Sequence, residues 1–232
     1  MTNLEILDEM AKFFFEKSPK GYRINFAFFI DSERYDISIL ENKISIKLNT
    51  DNTIDKENIE FIWHTTHETL EKLYNRELSA FTAKGKSKKG DISPINFDEY
   101  ENESIFGIPD NDLLNRMMIL DRFLNYGNPE IIKIDKQHSR LLHDTNIVAL
   151  HADAGLMIYC SIDPKGTLIE PKIQTSVIVL DGIGQIESGL TSFTIEKGFY
   201  YYFVPKGEVK IKNITEKDLS ILYMSEGYMK KT

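Results

Sequence analysis

The feature that most constrains the fold is an alternation of apolar and polar residues in steps of two over residues 22–48. In the segments YRINFAFFI, ERYDISIL and KISIKL, every second side chain is apolar. The turn-like pairs Asp31-Ser32 and Glu41-Asn42 separate the three segments. Successive side chains of a strand point to opposite faces of a sheet, so the pattern predicts three strands of an antiparallel meander.

Further elements on both sides of the meander extend this sheet into an α+β unit. Residues 3–17 carry apolar side chains at helical spacing, which predicts an amphipathic helix. IEFIW predicts a fourth strand with Ile59, Phe61 and Trp63 on one face, and a fifth strand is expected around Ile92 to Phe97. We therefore expect an antiparallel sheet covered by helices.

The stretch HTTHE at residues 64–68 raises the question of a metal site. Thr65 and Glu68 have the spacing of a capping box, which predicts that a helix begins here. His64 would then precede the helix and His67 would lie in its first turn. The two histidines do not have the one-turn separation of a zinc-binding helical pair, so a helix start is favoured over a metal site.

Residues 110–126, DNDLLNRMMILDRFLNY, predict a helix with almost no polar face. Gly127 and Pro129 end it and mark a domain boundary, which predicts domains at 1–127 and 128–232. One interpretation is a helix clamped between two domains. The other is a helix that lines a lipid tunnel, where flexible methionines such as Met117 adapt to different ligands.

The order of these elements, together with TTHETLEKLYNRELSAFTAKGKSKKGD, resembles the sterol carrier protein (type two) family over about residues 1–125. The resemblance implies an apolar ligand held between a curved sheet and its helices, without catalytic residues. It makes the following residues candidates for contact with an apolar small molecule or lipid: Phe26, Phe28, Ile37, Trp63, Leu70, Leu73, Phe81, Met117 and Phe123.

From residue 130 onward, β-rich segments recur about every 8 to 12 residues, which is typical of an all-β sandwich or barrel. The stretches TSVIVLDGIGQI and FTIEKGFYYYFVPKGEVKIKN resemble the cupin family over about residues 130–230. The resemblance implies a jelly roll and a possible homodimer through this domain.

Cupin metal sites use histidines and a carboxylate that this chain lacks at the corresponding positions. Lys172 and Gln174 stand near the first motif and Lys210 near the second, and a protonated lysine has no free lone pair for a metal. Glu170 alone would not hold a metal. We therefore expect neither a metal nor another cofactor, with an improvised site at His138, His143 and His151 as the alternative.

A metal-free pocket is the remaining option for the barrel. Tyr200, Tyr202, Lys172 and Lys210 are its candidate residues, and lysines facing the interior would favour an anionic ligand. The competing interpretation makes the lysines surface groups and about half of the aromatic run plain core. Cys160 has apolar neighbours, which predict a buried core thiol rather than a nucleophile.

The charge, hydropathy and cysteine content of the chain limit which binding partners and which cellular location are expected. The net charge of -8 disfavours nucleic acid, and no apolar run approaches the roughly 20 residues of a membrane helix. The N-terminus does not have the order of a signal peptide, and a single cysteine fits a reducing compartment, so a cytoplasmic location is expected.

Three functions follow in order of preference. The first is a non-enzymatic carrier or sensor of a lipid-like molecule. In it, the metal-free barrel forms a dimer or senses a second ligand. The second is a cupin-type isomerase or dioxygenase with an unconventional metal site. The third is a structural module whose pockets are filled by side chains.

Overall fold

The computed structural model describes residues 1–17, 22–41, 43–51, 58–84, 92–97, 119–125, 133–142, 145–151, 155–170, 175–205 and 207–226. Its contacts divide the chain into two compact units, Met1–Ile131 and Ile132–Thr232. Among the described residues, no helix combines the length and the apolar character needed to cross a bilayer.

The described residues of the N-terminal unit form three helices, five strands and a further helical segment. In chain order these are α1 (Asn3–Lys17), β1 (Tyr22–Ile30), β2 (Glu33–Glu41), β3 (Lys43–Asn49), β4 (Phe61–Thr65), α2 (His67–Tyr74), α3 (Ala80–Lys84), β5 (Asn96–Phe97) and the helical segment 119–124. The predicted helix at residues 3–17 and the three-stranded meander are present.

The five strands form one sheet in the order β3-β2-β1-β4-β5. The expectation of an antiparallel sheet is corrected at one pair, because β4 lies parallel to β1, with Phe26 opposite Phe61 and Phe28 opposite Trp63. The two tight turns of the meander impose antiparallel pairing, whereas a connection from 50 to 60 is long enough to return the chain to the other end of the sheet. β5 closes the edge antiparallel to β4.

The core of this unit lies between one face of the sheet and the helices. α1 buries Ile6, Leu7 and Met10, and β1 buries Ile24, Phe26, Phe28 and Ile30 against them. A smaller cluster of Ala27, Ile59 and Ile62 covers the opposite face. Ile59 was predicted to share a face with Phe61 and Trp63, but it packs on the other side.

The described residues of the C-terminal unit lie mostly in β-strands. In chain order it contains a short 3-10 helix (Lys136–His138) and the strands β6 (Arg140–Leu142), β7 (Thr145–His151), β8 (Gly155–Ile162), β9 (Thr167–Glu170), β10 (Thr175–Asp181), β11 (Ile183–Ser188), β12 (Thr191–Glu196), β13 (Tyr200–Phe203), β14 (Val209–Asn213) and β15 (Leu219–Glu226).

These strands form two sheets, with the orders β13-β10-β15-β8-β7-β6 and β12-β11-β14-β9. Side chains from the two sheets meet, since the Phe193 ring of β12 lies 5.6 Å from the Phe203 ring of β13, measured between centroids. Inward side chains alternate with outward ones along each strand, so the interior of the sandwich is lined by every second residue. The all-β architecture expected for this half is therefore present.

Asn213 ties together the loops at one end of the sandwich. Its buried side-chain amide donates to the carbonyl oxygens of Ile162 at 2.9 Å and Lys217 at 2.7 Å, and its oxygen accepts from the Thr215 backbone N–H at 2.9 Å. Buried backbone groups must be paired, so one side chain here replaces several backbone partners. The strands that carry the interior residues are thereby held in place at this end.

Candidate ligand sites

Six apolar side chains enclose a small cavity inside the N-terminal unit. Its volume is about 10 Å³, and it is lined by Phe26, Phe28, Trp63, Leu120, Phe123 and Leu124. A cavity of that size has room for about one water molecule, whereas ligand pockets reach about 300–1,000 Å³. Four of the lining residues belong to the set predicted from the sequence, and the structure brings them together.

The helical segment 119–124 supplies one wall of this cavity. The Phe123 ring packs edge-on against Phe26 at 5.7 Å and tilted against Phe14 at 6.0 Å, between centroids. Asp121 of the same segment forms an ion pair with Lys84, and both side chains are largely buried. The segment is therefore held both by apolar contacts and by a charge pair.

The other predicted lipid contacts divide into three groups. Ile37, Leu70 and Leu73 are buried in the same core as the cavity but do not line it. Phe81 is half-buried on α3, and the Lys84 ammonium lies 5.3 Å from the centre of its ring. Met117 lies outside the described residues, as does most of the predicted helix at 110–126.

HTTHE forms a strand end and a helix start, and the capping residue differs from the prediction by one position. Thr66 is the N-cap of α2, and its hydroxyl accepts from the Thr69 backbone N–H at 3.2 Å. Thr65 ends β4 and donates instead to the Pro94 carbonyl at 2.9 Å. His64 stacks on Phe29 in the sheet, with ring centroids 4.9 Å apart, while the His67 Nδ1 lies 2.7 Å from the Asn3 side-chain oxygen.

A second cavity, about 240 Å³ in volume, opens between the ends of α1 and α2. Its walls are Glu9, Phe13, Lys17, Tyr74 and Arg76. The Tyr74 hydroxyl donates to Glu9 at 2.6 Å, and the Lys17 ammonium lies 5.3 Å from the centre of the Phe13 ring. Glu9, Tyr74 and Lys17 thus each have a partner within this groove.

The structure places three of the four predicted barrel residues on the outer side of the sandwich. Tyr200 and Tyr202 are more than half exposed, and Lys210 is half-buried on the outer side of β14, 3.5 Å from Glu208. Alternation along β13 turns Tyr201 and Phe203 toward the facing sheet instead. Lys172 lies outside the described residues.

The interior of the sandwich contains the carboxyl group of Glu170, which was considered above only as a residue that could not hold a metal alone. Glu170 is 5% exposed on β9, next to the exposed Ile169 in the strand. Burial raises the pKa of its carboxyl to about 7. The negative charge of Glu170 also contributes to a raised pKa of the Cys160 thiol, for which burial is the larger cause. Glu170 on one sheet is therefore close enough to Cys160 on the other for its charge to act on the thiol.

Three hydroxyl groups share this interior. Thr175, Tyr223 and Ser225 are each at least 98% buried, and the Thr175 and Tyr223 hydroxyl oxygens are 3.5 Å apart. The Ser225 hydroxyl has no hydrogen-bond partner in the described part of the chain. Period-two alternation from Ile221 would have placed Tyr223 and Ser225 inside, but only the pairing of β15 with β10 shows that they lie beside Thr175.

Of the three histidines proposed as an improvised metal site, His138 is the one whose side chain is described. His138 lies in the 3-10 helix, where its Nδ1 is 2.6 Å from the Asp135 carboxylate. His143 and the side chain of His151 lie outside the described residues. Within the described ranges, no three His, Cys, Asp or Glu side chains are grouped as metal ligands.

Comparison with known proteins gives similarity of fold for the C-terminal part. It is similar to a cupin 2 conserved barrel domain protein from Salinispora arenicola, with 15% identity over 44% of this chain and 91% of the other and a TM-score of 0.38. It is also similar to a protein from Photorhabdus luminescens, with 16% identity over 44% and 90% of the two chains and a TM-score of 0.39.

A third similar structure is the cupin domain of a transcriptional regulator from Enterobacter cloacae, with 11% identity over 37% of this chain and 98% of that domain and a TM-score of 0.33. No protein-family model and no curated protein matches the sequence.

Proposed function

We propose that this chain is a non-enzymatic binding or carrier protein whose N-terminal unit takes up a lipid-like apolar molecule. The observation that carries the proposal is the cavity between β1, β4 and the helical segment 119–124, whose lining is apolar throughout. Burial of apolar surface is the main favourable term for such a ligand. The resemblance of residues 1–125 to sterol carrier proteins supports the same ligand class.

Uptake requires the cavity to grow, because about 10 Å³ is far below the volume of a lipid chain. The helical segment 119–124 is the element whose displacement would open it. Leu120, Phe123 and Leu124 occupy the face of the sheet that a ligand would cover. In this proposal the segment fills the site with its own side chains until an apolar ligand replaces them.

Trp63 makes the test direct, since it is the single tryptophan of the chain and lines the cavity. Titration with cis-parinaric acid, a fluorescent fatty acid that accepts energy from tryptophan, is expected to quench Trp63 in a saturable manner. The variant Phe123→Ala removes a ring from the cavity wall and is expected to bind the probe more tightly.

The matched control is Ile59→Ala, which removes a buried side chain from the opposite face of the same sheet. We expect this variant to bind like the unaltered protein. Absence of quenching, or an equal effect of both variants, would contradict the proposed site.

The C-terminal unit takes a second role in this proposal, as a module for dimerisation or for a second ligand. The alternative, a cupin-type enzyme with an unconventional metal site, differs in what the purified protein carries. Native mass spectrometry distinguishes them: a lipid released on denaturation supports the carrier, and a mass excess equal to one transition metal supports the enzyme. A structural module would carry neither and would fail the parinaric acid test.

A further inference from the structure

The Lys84 ammonium adjoins the apolar cavity of the N-terminal unit, next to two aromatic rings and a carboxylate. It lies 5.8 Å from the centre of the Trp63 ring and 5.3 Å from the centre of the Phe81 ring, and it forms an ion pair with Asp121. The side chains of Lys84 and Asp121 are only 17% and 15% exposed. Because Trp63 also lines the cavity, a largely buried positive charge lies beside its apolar wall.

The helical segment 119–124 brings apolar groups and one carboxylate to this place together. Three of its side chains line the cavity: Leu120, Phe123 and Leu124. Residues three and four apart lie on the same side of a helix, which explains why these side chains point the same way. Asp121, in the same turn, supplies its carboxylate to Lys84. The segment therefore has the two parts of an amphipathic acid, an apolar body and one carboxylate.

The position of Lys84 is set by α3 and not by the segment. Ala83 of α3 is fully buried in the core, and its carbonyl oxygen accepts from the Ile95 backbone N–H at 3.1 Å. At the start of the helix, the Ser79 hydroxyl accepts from the Thr82 backbone N–H at 3.1 Å. These contacts do not involve the segment, so we expect Lys84 to stay in place when the segment moves.

Displacement of the segment would take the Asp121 carboxylate away from Lys84. Separating a largely buried ion pair is costly, because a charge in surroundings of low dielectric loses its partner. A neutral apolar ligand does not offset this cost. A ligand with a carboxylate does offset it, since it restores a charge-assisted bond to the ammonium.

We infer that the N-terminal unit selects an amphipathic monocarboxylate of the long-chain fatty acid type, whose carboxylate replaces Asp121 at Lys84. The head-group site consists of Lys84, Trp63 and Phe81, and the tail of the ligand replaces the apolar side chains of the segment. This inference rests on the proposed uptake of an apolar ligand and adds the group by which the ligand is recognised. Lys84 is then the residue that distinguishes an acid from a neutral lipid.

The experiment compares cis-parinaric acid with its methyl ester, which has the same polyene chain and no charge. Both are titrated into the full-length protein at pH 8, where the acid is ionised, and binding is followed by energy transfer from Trp63. We expect the acid to bind about tenfold or more tightly than the ester. Asp121→Asn should tighten the binding of both probes and keep this ratio, because displacing the segment no longer separates an ion pair.

A double variant tests Lys84 without leaving one member of the pair charged and buried alone. Lys84→Met with Asp121→Asn replaces the ion pair by two uncharged side chains, so the protein should fold and should bind acid and ester with equal affinity. The matched control is Lys72→Met with Glu68→Gln, which removes an exposed ion pair of 2.6 Å from α2. This control should keep the preference for the acid.

The results distinguish the head-group site from apolar uptake itself. If neither probe shows saturable energy transfer, the proposed uptake is wrong and the head-group site is overturned with it. If the unaltered protein binds acid and ester equally, or if the folded Lys84→Met, Asp121→Asn protein still prefers the acid, apolar uptake stands and the role of Lys84 is overturned.

Discussion

Glu170 is a residue whose ionisation is coupled to the folding of the C-terminal unit. Its carboxyl has an ordinary pKa of 4.5, and burial raises this to about 7 in the folded protein. The folded state therefore holds the proton more tightly than the unfolded state does. Stability is highest below pH 4.5 as far as this group is concerned, and it falls as pH rises from 4.5 to about 7.

The corresponding prediction concerns Glu170→Gln, which keeps the shape of the side chain and removes the charge. Each pH unit between 4.5 and 7 corresponds to about 1.4 kcal/mol, so the variant should be more stable than the unaltered protein by about 3 kcal/mol at pH 8. Near pH 4 the difference should vanish. Urea unfolding between pH 4 and pH 8 measures it, and a difference that does not depend on pH would contradict the assigned burial.

Two glycines allow the cost of a left-handed backbone to be separated from the cost of a clash. Gly182 and Gly198 have nearly the same φ, 86° and 87°. A Cβ on Gly182 would lie 2.8 Å from the Asp218 carbonyl oxygen, whereas a Cβ on Gly198 meets nothing within 4 Å.

Gly198→Ala should therefore lose about 1 kcal/mol from the backbone conformation alone. Gly182→Ala should lose about 2 kcal/mol more, because the Asp218 carbonyl must also move. Thermal unfolding of the two variants is the measurement, and equal losses would show that backbone conformation alone determines both.

At the scale of elements, the sequence predicts strands better than it predicts their partners. Alternation identifies β1, β2 and β3, and their tight turns make the pairing antiparallel. It does not indicate that β4 runs parallel to β1, since a long connection permits either direction. The short strands β6, β9, β11 and β12 were not predicted, because their apolar alternation is brief; β9 in addition pairs only with β14, a distant segment.

The same limit applies to the candidate sites. The apolar residues of β1 and β4 could be predicted to share a face, and they do line one cavity. Alternation in β13 separates Tyr200 and Tyr202 from Tyr201 and Phe203, but it does not tell which pair faces inward. Glu170 lies inside because β9 is paired with β14, a contact between residues about 40 positions apart.

The start of α2 gives a prediction at this scale. Thr66 is the N-cap, and its hydroxyl pairs the otherwise free N–H of Thr69. Thr66→Ala should destabilise the N-terminal unit by about 1 kcal/mol, whereas Thr66→Ser should keep the hydrogen bond and stay within a few tenths of the unaltered protein. Urea unfolding followed by Trp63 fluorescence measures the difference. An unchanged free energy of unfolding in Thr66→Ala would contradict this cap.

At the scale of the whole molecule, the contacts divide the chain between Ile131 and Ile132. The sheet and helices described for Met1–Ile131 form their own core, and within the described ranges the sandwich strands pair with one another. We therefore predict that fragments 1–131 and 132–232 each fold when expressed alone.

Circular dichroism and urea unfolding check this, and each fragment should unfold in one cooperative transition. A shorter fragment, 1–118, is the control, since it lacks the wall formed by Leu120, Phe123 and Leu124 and should be much less stable than 1–131. A 1–131 fragment that unfolds without cooperativity would contradict the division.

The labelling rate of the Cys160 thiol reports how often the C-terminal sandwich opens. Cys160 is the single cysteine of the chain, it is fully buried between Ile147 and Ile221 on the neighbouring strands, and burial raises the pKa of its thiol. A thiol reagent can therefore modify the protein only when the two sheets separate. The rate of labelling at Cys160 measures how often the barrel opens, and a ligand that binds inside it should slow that rate.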